Sequence, residues 1–261
     1  MKIATCIVSP REDDWLVSNS AQNKYRLALL EATLSKAADM GIAMVFFPAR
    51  YFFTEMAWSF DRLCDRIIEI STKYDVAIAV GIDLMRKDIL SMGQSDKEWM
   101  LKQVKCGTGF PWYAVVCNPR EGFSDIWHLR SVNWKHSRTG PAHVCKKPRT
   151  VPIEGSGIEI LLCGEVFNAR IRDSVGKRRS DLLAAVDLVH DLDGYMISDT
   201  MKEFSILQQV RIFIAGHAKA RSAGCYAFYP RGKKKVPVGN RFLCLRPKAR
   251  EPYLTMRIWN V

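Results

Sequence analysis

Leu161-Leu162-Cys163-Gly164-Glu165-Val166-Phe167-Asn168 is the stretch on which the reading of this chain turns. An apolar run, Ile158 to Leu162, stops at a cysteine, and a glycine follows at once. That pattern reads as a buried strand whose last residue is thrown onto a tight turn. A cysteine placed there sits at the rim of a sheet, beside the backbone N–H groups of the turn. Fixed dipoles of that kind stabilise both a thiolate and the oxyanion it creates, so the position suits a nucleophile.

The rest of the chain supplies strands and helices around it. Residues 2–8 read as a first strand, and Asn23 to Met40 carries Leu27, Leu30, Leu34, Ala37 and Ala38 on one helical face, with Gly41 as its C-cap. Ile42 to Phe47 is a buried strand ending at Pro48. Asp61 to Tyr74 has helical spacing, and Val76 to Ile82 is strand-like. Trp112–Cys117, Trp127–Trp134, the Cys163 run, Asp181–Val189, Ile212–Ala215, Cys225–Tyr229, Arg241–Leu245 and Leu254–Trp259 complete the strands, with a helix over Lys202–Arg211. Arg86–Gly109 and Gly140–Ser156 lack periodicity and read as long loops of the kind that line binding sites. So many apolar strands imply two packed sheets between helices, in one α/β domain.

Bulk properties narrow the function classes. The 261 residues are 48% hydrophobic, enough for a single large core, and no stretch has the length of a membrane-spanning helix. Residues 1–8 break into Ser9-Pro10 and Glu12-Asp13-Asp14, a first strand rather than a signal peptide. The eight cysteines form no CxxC pair, which argues against a zinc site or a disulfide framework and fits a reducing cytoplasm. The net charge of +12 is partly clustered in Lys146-Lys147-Pro148-Arg149, Lys177-Arg178-Arg179 and Lys233-Lys234-Lys235. These runs lie far apart, in segments with Pro or Gly and no nucleic-acid-binding motif, and read as solvated loops.

Three strand ends carry the chemistry: Phe47-Pro48-Ala49-Arg50, Trp134-Lys135-His136 and Leu162-Cys163-Gly164. With the opening strand and helix, the Val80-Gly81-Ile82-Asp83 strand and the late Ala215-Gly216-His217 segment, this order resembles the nitrilase, or carbon–nitrogen hydrolase, superfamily over nearly the whole chain. The resemblance implies a four-layer αββα sandwich spanning 1–261 as one domain. It implies Cys163 as the nucleophile and Lys135 as the cation on the tetrahedral oxyanion. In the family a glutamate directly follows the proline of the second strand; here that position is Ala49.

The departure matters because the thiol must lose a proton and the leaving amine must gain one. A carboxylate does both in turn, and an alanine cannot. Glu55, Glu165 and Glu154 are the candidate substitute acids. At the start of the elbow, Glu165 has a structural alternative in the helix dipole, and Glu55 and Glu154 have one as solvated loop carboxylates. Arg50, Tyr51 and His190 are candidate substrate contacts, with His217 near the same rim. Tyr51, Phe52, Phe53 and Trp58 wall a pocket, or else belong to the core or a subunit contact. His136 points away from Lys135 on a strand.

The expected activity is hydrolysis of a small amide or nitrile-like substrate. The alternative is an impaired relative that binds a small ligand or a protein partner without turnover. No metal or organic cofactor is needed, self-association follows from the resemblance, and neither membrane nor nucleic acid is an expected partner.

Overall fold

A computed structural model describes residues 1–9, 20–54, 59–83, 113–128, 149–175, 181–190, 196–218, 227–245 and 253–261. The first strand, β1 (Lys2–Ser9), is buried from Ile3 onward and lies at the centre. Helix α1 (Ser20–Asp39) leads to β2 (Met44–Phe46) and the two-residue β3 (Phe52–Phe53). Helix α2 (Phe60–Tyr74) buries Leu63, Cys64, Ile67 and Ile70 on one face. Its first turn is capped by the Ser59 hydroxyl, which accepts from the Arg62 N–H, and left-handed Asp75 ends it. Strands β4 (Ala77–Asp83), β5 (Tyr113–Asn118) and β6 (Phe123–His128) follow.

The second half runs β7 (Thr150–Ile153), β8 (Ser156–Leu162), the short α3 (Ala169–Ser174), β9 (Leu182–Leu188), α4 (Met196–Gln208) and β10 (Ile212–His217). Then come β11 (Ala227–Tyr229), β12 (Lys233–Lys235), β13 (Gly239–Leu243) and β14 (Tyr253–Asn260). The strand path is β6-β5-β4-β2-β1-β10-β9-β8-β7, with β14 and β13 alongside β1.

The path folds into two sheets, and three apolar layers fix the architecture. Ala4, Cys6, Val8, Ile78 and Val80 pack under α1 and α2. Ile3, Phe46, Ala77, Ala79, Ile160, Leu162, Leu188 and Trp259 fill the space between the sheets. Leu161, Ala185, Val189, Ile212 and Ile214 face the α4 side chains Met201 and Phe204. Helix, sheet, sheet, helix is the αββα order expected from the sequence.

Strands β4, β2, β1, β10, β9 and β8 are mutually parallel, so all their carboxyl ends open on one rim. A crevice outside such ends is where open α/β sheets bind ligands.

Three expectations are corrected. The segment 140–156 is not all loop: β7 and β8 form a hairpin whose turn is Glu154 (φ 48) and Gly155 (φ 74), a left-handed pair suited to a two-residue connection. Pro152 hid it, and an edge strand tolerates that proline. Lys233-Lys234-Lys235 is an exposed strand paired with β11, not a loop. The last long helix also starts earlier than its periodicity suggested, at Met196. The Arg86–Gly109 stretch and the part of Trp127–Trp134 beyond His128 lie outside the described residues.

Candidate active site

The turn after β8 is held in an uncommon backbone state. Cys163 has φ 45, a left-handed conformation that a non-glycine residue adopts at an energetic cost. A 3₁₀ turn over Cys163–Phe167 follows, and the cysteine is partly exposed.

Two buried carboxyls lie beneath it. Glu165 is 0% exposed; its Oε2 accepts from the Leu162 N–H at 3.1 Å and its Oε1 from Arg149 Nη1 at 3.0 Å. Arg149 is itself buried, and its N–H donates to Glu159 Oε1 at 3.3 Å. The Glu165 carboxylate is thus committed to shaping the elbow.

Asp187, on the neighbouring strand β9 and paired with Leu161, is the second carboxyl. It is fully buried, with the Cys163 backbone N–H as a close polar neighbour. Burial pushes its pKa well above the usual carboxylate range, and the nearby Glu165 charge adds to this, while the Cys163 N–H dipole works the other way. A carboxyl whose acid form burial favours and an ion-paired carboxylate therefore lie beside Cys163.

Across the rim, the chain after Pro48 runs close over β4. A Cβ built on Gly81 would lie 2.4 Å from Ala49 Cα and 2.7 Å from Arg50 N, so only glycine permits the approach. Ala49 is fully buried against the inter-sheet core. Arg50, at φ 58, turns its guanidinium along the rim. Its Nε lies 3.0 Å from Asp83 Oδ2, its Nη1 donates to His190 Nε2 at 2.9 Å, and it stacks 4.9 Å over the Phe53 ring.

A guanidinium only donates, so His190 Nε2 carries a lone pair and the ring proton sits on Nδ1. His217 Nδ1 lies 3.2 Å from the His190 carbonyl, to which it donates, and the two rings are 6.3 Å apart. Burial lowers the His217 pKa well below its ordinary value, assisted by the Arg26 and Arg50 charges, so this imidazole is neutral.

The sequence-derived candidates thus divide. Arg50 and His190 meet, although 140 positions separate them. Cys163 lies on the same rim, since Leu162 pairs with Leu188 two residues before His190. Tyr51 is fully buried, and its hydroxyl donates to the Arg26 carbonyl at 3.0 Å. Phe52 and Phe53 are buried with it. Glu154 lies at the opposite end of β8, about 20 Å from the elbow at roughly 3.3 Å per residue, and cannot serve Cys163. Lys135, His136, Glu55 and Trp58 lie outside the described residues.

Sequence reasoning passed over Asp83, Arg149 and Asp187 as site residues. Asp187 did leave a signal, a lone carboxylate inside the apolar run Leu182–Val189.

No family model and no curated protein matches the chain. Solved structures do. An amidase from Nesterenkonia sp. superposes with TM-score 0.61 at 13% identity, covering 99% of this chain and 90% of that one. A mutant of the Nesterenkonia AN1 amidase from the nitrilase superfamily matches with TM-score 0.58 at 12% identity, over 98% and 90% of the two chains. A third structure, with TM-score 0.58, 12% identity and coverage of 98% and 92%, carries acrylamide added at that amidase's active-site cysteine. By superposition over nearly its whole length, the chain has the fold of the nitrilase-superfamily amidases.

Proposed function

We propose that the protein is a carbon–nitrogen hydrolase of the amidase type, acting on a small amide or nitrile-like substrate through Cys163. The observation that carries this reading is the elbow. A partly exposed thiol sits in a strained turn at the carboxyl end of a parallel strand, in a fold shared with amidases that use a cysteine. On an amide, the sulfur bonds to the carbonyl carbon and the C=O electron pair moves to oxygen. Lys135 and turn N–H groups hold that oxyanion. The thiol proton goes to the nitrogen, the C–N bond breaks, and an amine leaves. Water then adds to the thioester, releasing a carboxylic acid and returning the proton to sulfur.

Arg50 and His190 serve as substrate contacts. Arg50, held between Asp83 and His190, offers its guanidinium to an electron-rich group of the substrate. A cytoplasmic setting, self-association and independence of any cofactor stay expectations drawn from the sequence and the resemblance.

The weak point of the machinery is proton transfer. Without the carboxylate that Ala49 replaces, amide cleavage loses about 10²–10⁴-fold, whereas an activated ester, whose leaving group needs no proton, loses less. Intact mass after incubation with activated acyl esters and small amides tests the reading. It expects an acyl adduct on the wild-type chain and none on Cys163→Ala. No adduct and no turnover across amides, nitriles and activated esters would refute it.

A second reading, ligand binding without turnover, has its own observation. The Asp83–Arg50–His190 contacts occupy the rim directly beside Ala49. Thermal stabilisation by an amide that is never consumed, unchanged in Cys163→Ala, would favour it.

A further inference from the structure

Seven large hydrophobic side chains are exposed among the described residues, and four fall within positions 236–245: Val236 (70%), Val238 (62%), Phe242 (51%) and Leu245 (42%). The same stretch is strongly basic. From Pro230 to Arg250 the sequence has eight Lys or Arg and no Asp or Glu. Lys233, Lys234 and Lys235 are all exposed on β12, and Arg241 is exposed on β13.

The two strands belong to different sheets. β12 pairs with β11, β13 pairs with β14, and Val236-Pro237-Val238 crosses between them, pinned by the Val238 N–H on the Ile258 carbonyl at 2.8 Å. Ile206 of α4, also exposed, lies against Gly232 at the head of the strip.

Edge lysines by themselves guard against strand pairing. They do not account for two valines and a phenylalanine left in water beside them. Cations next to aliphatic side chains match a surface that is anionic outside and apolar just beneath. Single-stranded nucleic acid would call for stacking faces, and of these four apolar side chains only Phe242 has one.

We propose that the β12–β13 strip docks the protein on an anionic lipid surface, with Lys233–Lys235 at the headgroups and Val236, Val238 and Phe242 in the acyl boundary. This attachment is peripheral and needs no spanning helix; none among the described residues is long and apolar enough to cross a membrane. It is independent of the chemistry at Cys163.

Cosedimentation of the full chain tests it, with mixed phosphatidylcholine–phosphatidylserine vesicles set against pure phosphatidylcholine. The mixed vesicles should pellet the protein at low salt and release it as salt rises, and the neutral ones should not pellet it. Reversing all three lysines (Lys233→Glu, Lys234→Glu, Lys235→Glu) should weaken partitioning more than about 100-fold. Val236→Ser with Val238→Ser and Phe242→Ser should weaken it on the same vesicles with the salt dependence kept. These residues are exposed, so unchanged melting of each variant checks the fold. A chain that stays in the supernatant with anionic vesicles at low salt overturns the proposal, as do lysine or serine variants that pellet like the wild type. Salt-sensitive oligonucleotide binding without vesicle binding would assign the strip to nucleic acid instead.

Discussion

Position 49 is the sharpest test of what the elbow can do. Ala49→Glu returns a carboxylate to the place where the resembled family carries one. If the remaining parts are in register, amide turnover measured by ammonia release should rise by about 10²-fold or more, up to the 10²–10⁴ that acid–base help supplies. The same change in a Cys163→Ala background should do nothing. Two buried groups also predict how stability varies with pH. His217 is held neutral when folded, while its unfolded counterpart takes up a proton near pH ~6.5. The unfolded chain therefore binds the extra proton below that value, and stability falls as pH falls. Asp187 has the opposite sign. Its folded pKa is raised, so from about pH 3.9 upward the folded state holds the extra proton and stability falls as pH rises. The two trends oppose each other between about pH 4 and 6.5. Urea midpoints across this range should reveal the acid-side loss in Asp187→Asn and the alkaline-side loss in His217→Gln. Identical profiles in both variants would contradict these assignments.

Gly81 and Arg149 show how neighbouring elements hold the site. A methyl group at Gly81 meets the backbone of Ala49 and Arg50 rather than a yielding side chain. Gly81→Ala should therefore cost about 1–3 kcal/mol as overpacking and disturb the Arg50–His190 contact, read by denaturant unfolding and by the rate of Cys163 alkylation. Arg149→Met strands the Glu165 carboxylate in the core, and removing one partner of a buried pair costs about 3–5 kcal/mol. If Arg149→Met melts like the parent, the ion pair does not anchor the elbow. These elements also mark how far the sequence could be read. The apolar runs behind β1, β2, β4, β8, β9 and β10 were visible because both faces of each strand are buried, and the elbow was visible because its run stops at Cys163-Gly164. β7 was hidden by Pro152, and β12 by a lysine triplet that looks like solvent-facing loop. The Arg50–His190 contact joins the ends of two distant strands and carries no local periodicity. Asp187 was legible as an anomaly, but its place under the elbow depends on the register of β8 with β9.

At the scale of the molecule, six parallel strands from both sheets converge on one rim, and β1 is the seam that makes this possible. It pairs with β2 over Ile3–Thr5, with β10 at Ile7 and Val8, and with β14 along its full length, Lys2↔Asn260 through Ser9↔Tyr253. Trp259 Nε1 donates to Thr5 Oγ1 at 2.9 Å within this seam. A stop at position 252 would leave β1 with one flank bare, and such a fragment should be recovered as aggregate rather than as a folded monomer, as gel filtration of the soluble fraction would show. The same pairing imposes an order on biosynthesis. The central strand leaves the ribosome some 250 codons ahead of the neighbour that covers it along its full length. Through that interval the nascent chain must shelter an open edge, and closing so long a loop makes slow, late cooperative folding the expectation for this protein.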